Sequence, residues 1–263
     1  MLSRKLDEAR DAFRRRDAEA SAAAHGARGA AEERHRSASG RYVKSLIYGG
    51  LDGIVTTFAV VAGVAGASLS ASVVLILGFA NLIADGLSMA IGDFLSTKAE
   101  NEYNRAERAR EEWEVEHFPE GEKRELVELY VEKGMSEDDA RAVCEAFSRN
   151  PKAWVSVMMV EELGIVEERS SPLGNAVATF LSFSIFGFVP LLAYVAARIL
   201  GTGGSLSFPL ATALTALTLF VLGALKVRIT GRGWLWSGVE MLLVGGAAAA
   251  AAFGIGRLLG GIA

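Results

Sequence analysis

Apolar residues along this chain gather into five long runs, Leu46–Ala67, Val73–Leu95, Leu173–Ala197, Phe208–Leu225 and Leu235–Ile255. A helix needs about 20 mainly apolar residues to cross a hydrocarbon core of about 30 Å, and each run is of that order. The pattern therefore predicts an all-α, polytopic membrane protein with five transmembrane helices. Only Ser68–Ser72 separates the first two runs, which forces them into an antiparallel hairpin. The first forty residues hold no apolar run, so no cleavable signal peptide is expected and the first span directs insertion itself.

Between the second and third runs the polar pattern is helical but interrupted. A charged continuation of the second span reaches about His117, Pro119 breaks it, and helix resumes over Glu122–Lys133. After a turn at Gly134, Ser136 followed by Asp139 marks the start of a helix running to Arg149. Asn150-Pro151 interrupts the chain before a last helical stretch, Lys152–Leu163. Four segments follow: a polar tail (1–40), the first hairpin (41–95), a small acidic helical domain (96–172) and the last three spans (173–263).

Composition agrees with a lipid solvent, with 51% hydrophobic residues, 29 Gly and only 5 Pro. The net charge of −4 hides a strong segregation, since residues 46–95 hold three Asp and no Lys or Arg, while 96–172 hold 20 acids against 11 bases. Arg41, Lys44, Lys98, Lys226, Arg228 and Arg232 flank one side of the spans, against Arg198 and Arg257 on the other. The excess of positive charge predicts that the N-terminus and the acidic domain face the cytoplasm, with Trp234 and Trp236 at that interface. The single Cys144 cannot form an internal disulfide. No nucleotide motif or phosphate-binding glycine loop occurs, and no nucleic-acid partner is expected.

The acids inside the hairpin are the informative residues. Ionised carboxylates in hydrocarbon cost several kcal/mol and survive mainly where they face a wet cavity, a partner or an ion. Asp52 lies about two turns into the first span, and Asn81, Asp85, Met89 and Asp93 recur every fourth residue along the second. That spacing keeps neighbours on one helical face. Carboxylates suit hard divalent cations, and a thioether adds affinity for softer transition metals such as Fe(II). Read alone, Met89 is also ordinary core filler, and Asp93 stands near enough to the span's end to sit among lipid headgroups. Small residues along the first span (Gly49, Gly53, Ala59, Gly63, Ala67) allow close helix approach, either to a second copy or within one chain.

In the acidic domain Glu107, Glu111 and Glu114 share a helical face, Glu122 and Glu125 are one turn apart, and Met158 and Met159 precede Glu161 and Glu162. Together these make a candidate cation site of mixed hard and soft donors. Singly, each Glu also reads as a solvated partner of Arg105, Arg108 or Arg110.

Three motifs resemble the vacuolar iron transporter family, the iron and manganese transporters of plants and yeast and their bacterial relatives. They are Tyr48-Gly49-Gly50-Leu51-Asp52-Gly53-Ile54-Val55-Thr56-Thr57, Ala84-Asp85-Gly86-Leu87-Ser88-Met89-Ala90, and Asn150-Pro151-Lys152-Ala153-Trp154 leading to Met158-Met159-Val160-Glu161-Glu162-Leu163-Gly164. The resemblance runs from about residue 35 to the C-terminus. It implies a five-helix homodimer packed through the first span, moving Fe(II) and often Mn(II) out of the cytosol in exchange for protons, with no permanently bound cofactor. It also implies that Asp52 and Met89 line the path, and that Glu111, Glu114, Glu122, Glu125, Met158, Met159 and Glu162 bind metal. Better-known plant members carry a glutamate where this chain has Asn81, and small residues at Asp85 and Asp93, so the path carboxylate is expected to have moved one turn to Asp85. A bacterial relative of this kind is expected in the inner membrane.

Two rival readings stand beside this one. A di-iron carboxylate oxidase would use the Glu-x-x-His pairs Glu114–His117 and Glu32–His35, but it needs four long helices around them. A membrane-anchored metal sensor or storage protein would use the acidic domain and leave the polar stripe of the second span without a purpose.

Overall fold

The computed structural model describes residues 12, 13, 15–20, 43–166, 171–201, 206–230 and 233–261. The chain divides into a unit of residues 1–44 and a unit of residues 45–263. In the first, a short helical stretch lets Ala20 donate its N–H to Asp17, and the Arg16 guanidinium lies over the Phe13 ring. Most of the polar tail, including the Glu32–His35 pair, falls outside the described residues.

Eight helices make up the rest of the described structure: α1 (Val43–Gly66), α2 (Ala71–His117), α3 (Pro119–Glu132), α4 (Glu137–Ser148), α5 (Pro151–Glu161), α6 (Pro172–Leu200), α7 (Ser207–Thr230) and α8 (Trp234–Gly260). Five of them, α1, α2, α6, α7 and α8, are long and apolar enough to span a membrane. The protein is thus a multi-pass helical membrane protein, as the hydrophobic runs predict.

Helix α2 has 47 residues, which at a rise of 1.5 Å each makes it about 70 Å long. The bilayer core takes up about 30 Å of that. The remainder, from about Ser96 onward, is a charged stalk that carries the helical insert away from the apolar layer.

Glycine decides how the spans meet. A Cβ on Gly49 would fall 2.6 Å from the Thr179 carbonyl oxygen, and one on Gly53 would strike the Phe183 backbone. Farther along α1, Gly66 lies against the Phe253 backbone and Gly63 against Gly256 of α8. The small-residue stripe of the first span is therefore taken up by α6 and α8 of the same chain. A face rotated by about 100° from Gly49 and Gly53 carries the exposed Tyr48 and, one turn on, the half-buried Asp52. Helix α2 packs on α6 through Val74, Gly78, Leu82, Gly86 and Ala90, and α6 packs on α7, which packs on α8. Phe58, Val61, Leu82, Phe183 and Leu191 form the centre of the membrane core. Ile76, Phe79, Ile83, Leu87, Ile91 and Leu95 of α2 remain exposed, an apolar face suited to lipid.

The insert has its own core, in which Val115 of α2, Leu126 of α3, Cys144 of α4 and Trp154, Val155, Met158 and Met159 of α5 pack together. Its boundaries correct the sequence reading in one respect. Pro119 both ends α2 and begins α3, three residues before the expected start at Glu122. Proline lacks an N–H that the first helical turn would leave unpaired anyway, and Glu120 and Glu122 complement the helix dipole there. Pro151 starts α5 in the same way. Ser136 caps α4 as expected, accepting the Asp139 N–H at 3.2 Å.

Candidate functional site

The polar stripe of α2 faces α1. It lies one residue behind the buried Leu82–Gly86–Ala90 row, so each member is rotated by about 100° from the α6 contact. Asn81, Asp85, Met89 and Asp93 are all half-buried. The Asn81 amide reaches the Thr56 and Thr57 hydroxyls of α1, each at 3.5 Å. Asp85 acts electrostatically on Asp52 across the same seam. Met89 packs against the membrane core from the edge of that seam. Asp52, Asn81 and Asp85 thus lie along one seam between two helices.

Asp93 is held differently. One carboxylate oxygen accepts from the Ser45 hydroxyl of α1 at 2.9 Å and from the Thr179 hydroxyl of α6 at 2.5 Å. The other accepts from Thr97 at 3.4 Å, and Thr97 in turn accepts from the Asn175 amide at 3.1 Å. One carboxylate therefore ties three spans together where the stalk begins. The two donors on α6 are not among the residues singled out from the sequence, although Asn175 and Thr179 stand one turn apart within an apolar run and that spacing is the signal for them.

The second concentration of acids lies in the insert. Glu111 of α2, Glu122 of α3 and Glu162 just after α5 bring one carboxylate oxygen each within 4.8 Å of the others. Glu111 is wholly buried and Glu122 is 5% exposed. Both Glu111 oxygens and one oxygen each of Glu122 and Glu162 have no hydrogen-bond partner. Burial, reinforced by the Glu162 charge, pushes the Glu111 carboxyl up to about 7 against the lowering effect of Arg110. Burial and the Glu111 charge raise Glu122 to about 7 as well. Glu162 is raised too, first by burial and then by Glu125. Three carboxylates crowded at a largely buried site are stable only if protonated or neutralised by a cation, and their oxygens suit a hard divalent ion.

The remaining predicted ligands do not join this trio. Glu114 binds the Arg110 guanidinium at 2.6 Å. Glu125 is exposed and acts on the trio through its charge. Met158 and Met159 are fully buried among apolar neighbours in the insert core. His117, the histidine of one Glu-x-x-His pair, places Nδ1 2.9 Å from the Trp113 carbonyl and stacks on the Trp113 ring. It is not gathered with the acids. Arg110, expected from its spacing to pair with single glutamates, does more than that. It contacts Glu107, Glu111 and Glu114 together.

Fold and site together define a multi-pass helical membrane protein with a polar hairpin in its membrane layer and a buried carboxylate cluster on a stalk beyond it. Residues 43–257 match the model of the VIT family, and the chain belongs to that family. It is 43% identical to a vacuolar iron transporter of Toxoplasma gondii, covering 97% of this chain and 89% of that one. A vacuolar iron transporter of Plasmodium falciparum is 35% identical over 98% of both chains. Vacuolar iron transporter 1 of Arabidopsis thaliana is 33% identical over 86% of this chain and 89% of its own length. Membership makes the chain a transporter rather than an enzyme. These relatives are eukaryotic, so they lend no support to the expected bacterial inner membrane.

Proposed function

We propose that the chain exports divalent transition metal, Fe(II) and also Mn(II), from the cytosol, exchanging it for protons. The observation that carries this reading is the Glu111–Glu122–Glu162 trio, whose Glu111 stands on the same continuous helix that bears Asp85 and Met89 in the membrane. The insert faces the cytoplasm in this scheme and collects the ion. Glu114, Glu125, Met158 and Met159 complete its coordination after side-chain rearrangement. The ion then passes along a path bordered by Asp52, Asn81, Asp85 and Met89, with Asp93 at its mouth. Asp85 supplies the carboxylate that better-known relatives carry at the Asn81 position.

Proton exchange fits the same groups, because a carboxylate that releases a cation in a desolvated site takes up a proton in its place. A second copy of the chain packing against the Tyr48 and Asp52 side of α1 would close the path and place two Asp52 carboxylates near one axis. That assembly is part of the proposal, and it uses a face of α1 about 100° from the glycines already committed to α6.

The test is uptake of Fe(II) and Mn(II) into proteoliposomes at two internal pH values, with Asp52→Ala as the control. Uptake that depends on Asp52 and quickens with internal acidity is expected. Metal bound by the protein but never crossing the membrane would replace this reading with that of a sensor or storage protein. Uptake indifferent to the pH gradient would make the chain a uniporter.

A further inference from the structure

Residues next to each other on a helix point about 100° apart and do not ordinarily face one another. Arg110 and Glu111 are an exception. The Arg110 guanidinium bends across the stalk to within 2.9 Å of a Glu111 carboxylate oxygen, although Arg110 itself is 42% exposed while Glu111 is wholly buried. It also donates to Glu107 at 3.0 Å and to Glu114 at 2.6 Å. One long side chain thus reaches Glu107, Glu111 and Glu114 at once.

The contacts are of two kinds. Glu107 and Glu114 receive directed hydrogen bonds, so the geometric preferences of the guanidinium are satisfied by these two outer acids. Glu111 receives charge alone, and both of its oxygens stay without a hydrogen-bond partner. Arg110 also counteracts the raised affinity of Glu162 for protons. It brings positive charge to Glu111 without a directed hydrogen bond.

We infer that Arg110 is the resident counter-cation of the acid cluster, and that a divalent ion binds there by displacing its guanidinium from Glu111 and Glu114. This inference rests on the proposal that the cluster binds the transported ion. Its consequence is a set point for affinity. The arginine lowers the cost of holding three crowded carboxylates close together when no metal is bound, and it competes with the metal for Glu111, one of the three, and for the outlying Glu114. Binding is kept weak enough for the ion to move on, and the returning guanidinium assists its release. Lysine could supply the charge but not the forked contact with two acids at once.

The test is Mn(II) binding to the full-length protein in lipid nanodiscs, read as free Mn(II) by its electron paramagnetic resonance signal, for wild type, Arg110→Gln, Arg110→Lys and Glu111→Gln. Removing one positive charge a few ångströms from a partly screened site is expected to tighten Mn(II) binding on the order of tenfold in Arg110→Gln. Arg110→Lys should fall between the two. A purely structural role for Arg110 predicts the opposite, a weaker site in Arg110→Gln, and that result, or an unchanged affinity, overturns the inference. If Arg110→Gln is unfolded without metal, recovery of its helical signal and melting transition on adding Mn(II) supports the inference, and failure to recover overturns it. Wild-type binding that is absent, or unaffected by Glu111→Gln, strikes instead at the proposal that this cluster binds the transported ion.

Discussion

Glu111 and Glu122 stand on helices joined by a reversal at Phe118 and Pro119, yet their carboxylate oxygens lie within 4.8 Å of each other and of Glu162. Each is raised to about 7, chiefly by burial. Folding therefore binds protons between the ordinary glutamate value of about 4.5 and about 7. Stability of the metal-free insert should be greatest at the acid end of that window and fall as pH rises through it, levelling off above about 7. Thermal melts at several pH values, with and without Mn(II), check this. Metal should reverse the loss at neutral pH, and a melting temperature that rises with pH in the metal-free protein would contradict it.

The same two carboxyls make metal binding pH-dependent in the opposite sense. An ion must displace the protons held by Glu111 and Glu122, so Mn(II) affinity is expected to increase from pH 6 to pH 8 with proton release on binding. Titrations in two buffers of different ionisation enthalpy would detect the protons. Glu122→Gln should reduce both the proton release and the affinity.

In the membrane layer, Asp93→Ala removes the acceptor of the Ser45 and Thr179 hydroxyls and frees Thr97. Thr179 is 1% exposed, and a buried hydroxyl without a partner costs about 1–3 kcal/mol. A drop in melting temperature is expected in detergent, smaller for Asp93→Asn, which keeps an acceptor oxygen. Equal stability of Asp93→Ala and wild type would show that the three-span tie is energetically idle.

Asp85→Asn is expected to abolish metal export while leaving the protein assembled, because Asp85 is the carboxylate of α2 that interacts with Asp52. Metal uptake into proteoliposomes, alongside size-exclusion profiles, distinguishes a lost path from a lost fold. Transport retained in this variant would return the role to Asn81, whose amide contacts Thr56 and Thr57.

Gly53→Ala is expected to prevent α1 from docking. The added methyl meets the Phe183 backbone rather than a side chain that could rotate away, and forcing α1 and α6 apart would cost at least about 1–3 kcal/mol. Loss of folded protein on membrane extraction is the readout. By contrast, Gly92→Ala meets nothing within 4 Å and should be tolerated.

By itself the sequence determined the five spans, because lipid demands apolar length in one continuous helix and each run shows that demand directly. It determined the helices of the insert to within a few residues, through proline, glycine and the Ser136 cap, which act locally. It also determined which residue types were costly where they stood, with Asp52, Asp85 and Asp93 conspicuous in hydrocarbon. Only the tertiary structure decided which of these costs are shared. Asp93 ties three helices through hydroxyls on α1 and α6, Gly49 and Gly53 serve α6 of the same chain, and of seven predicted donors in the insert Glu111, Glu122 and Glu162 converge while Arg110 pairs with Glu111. The physical reason is distance along the chain. Apolar length and helix caps are properties of neighbours, whereas a shared carboxylate site is set by side chains from separate helices whose approach no local spacing encodes.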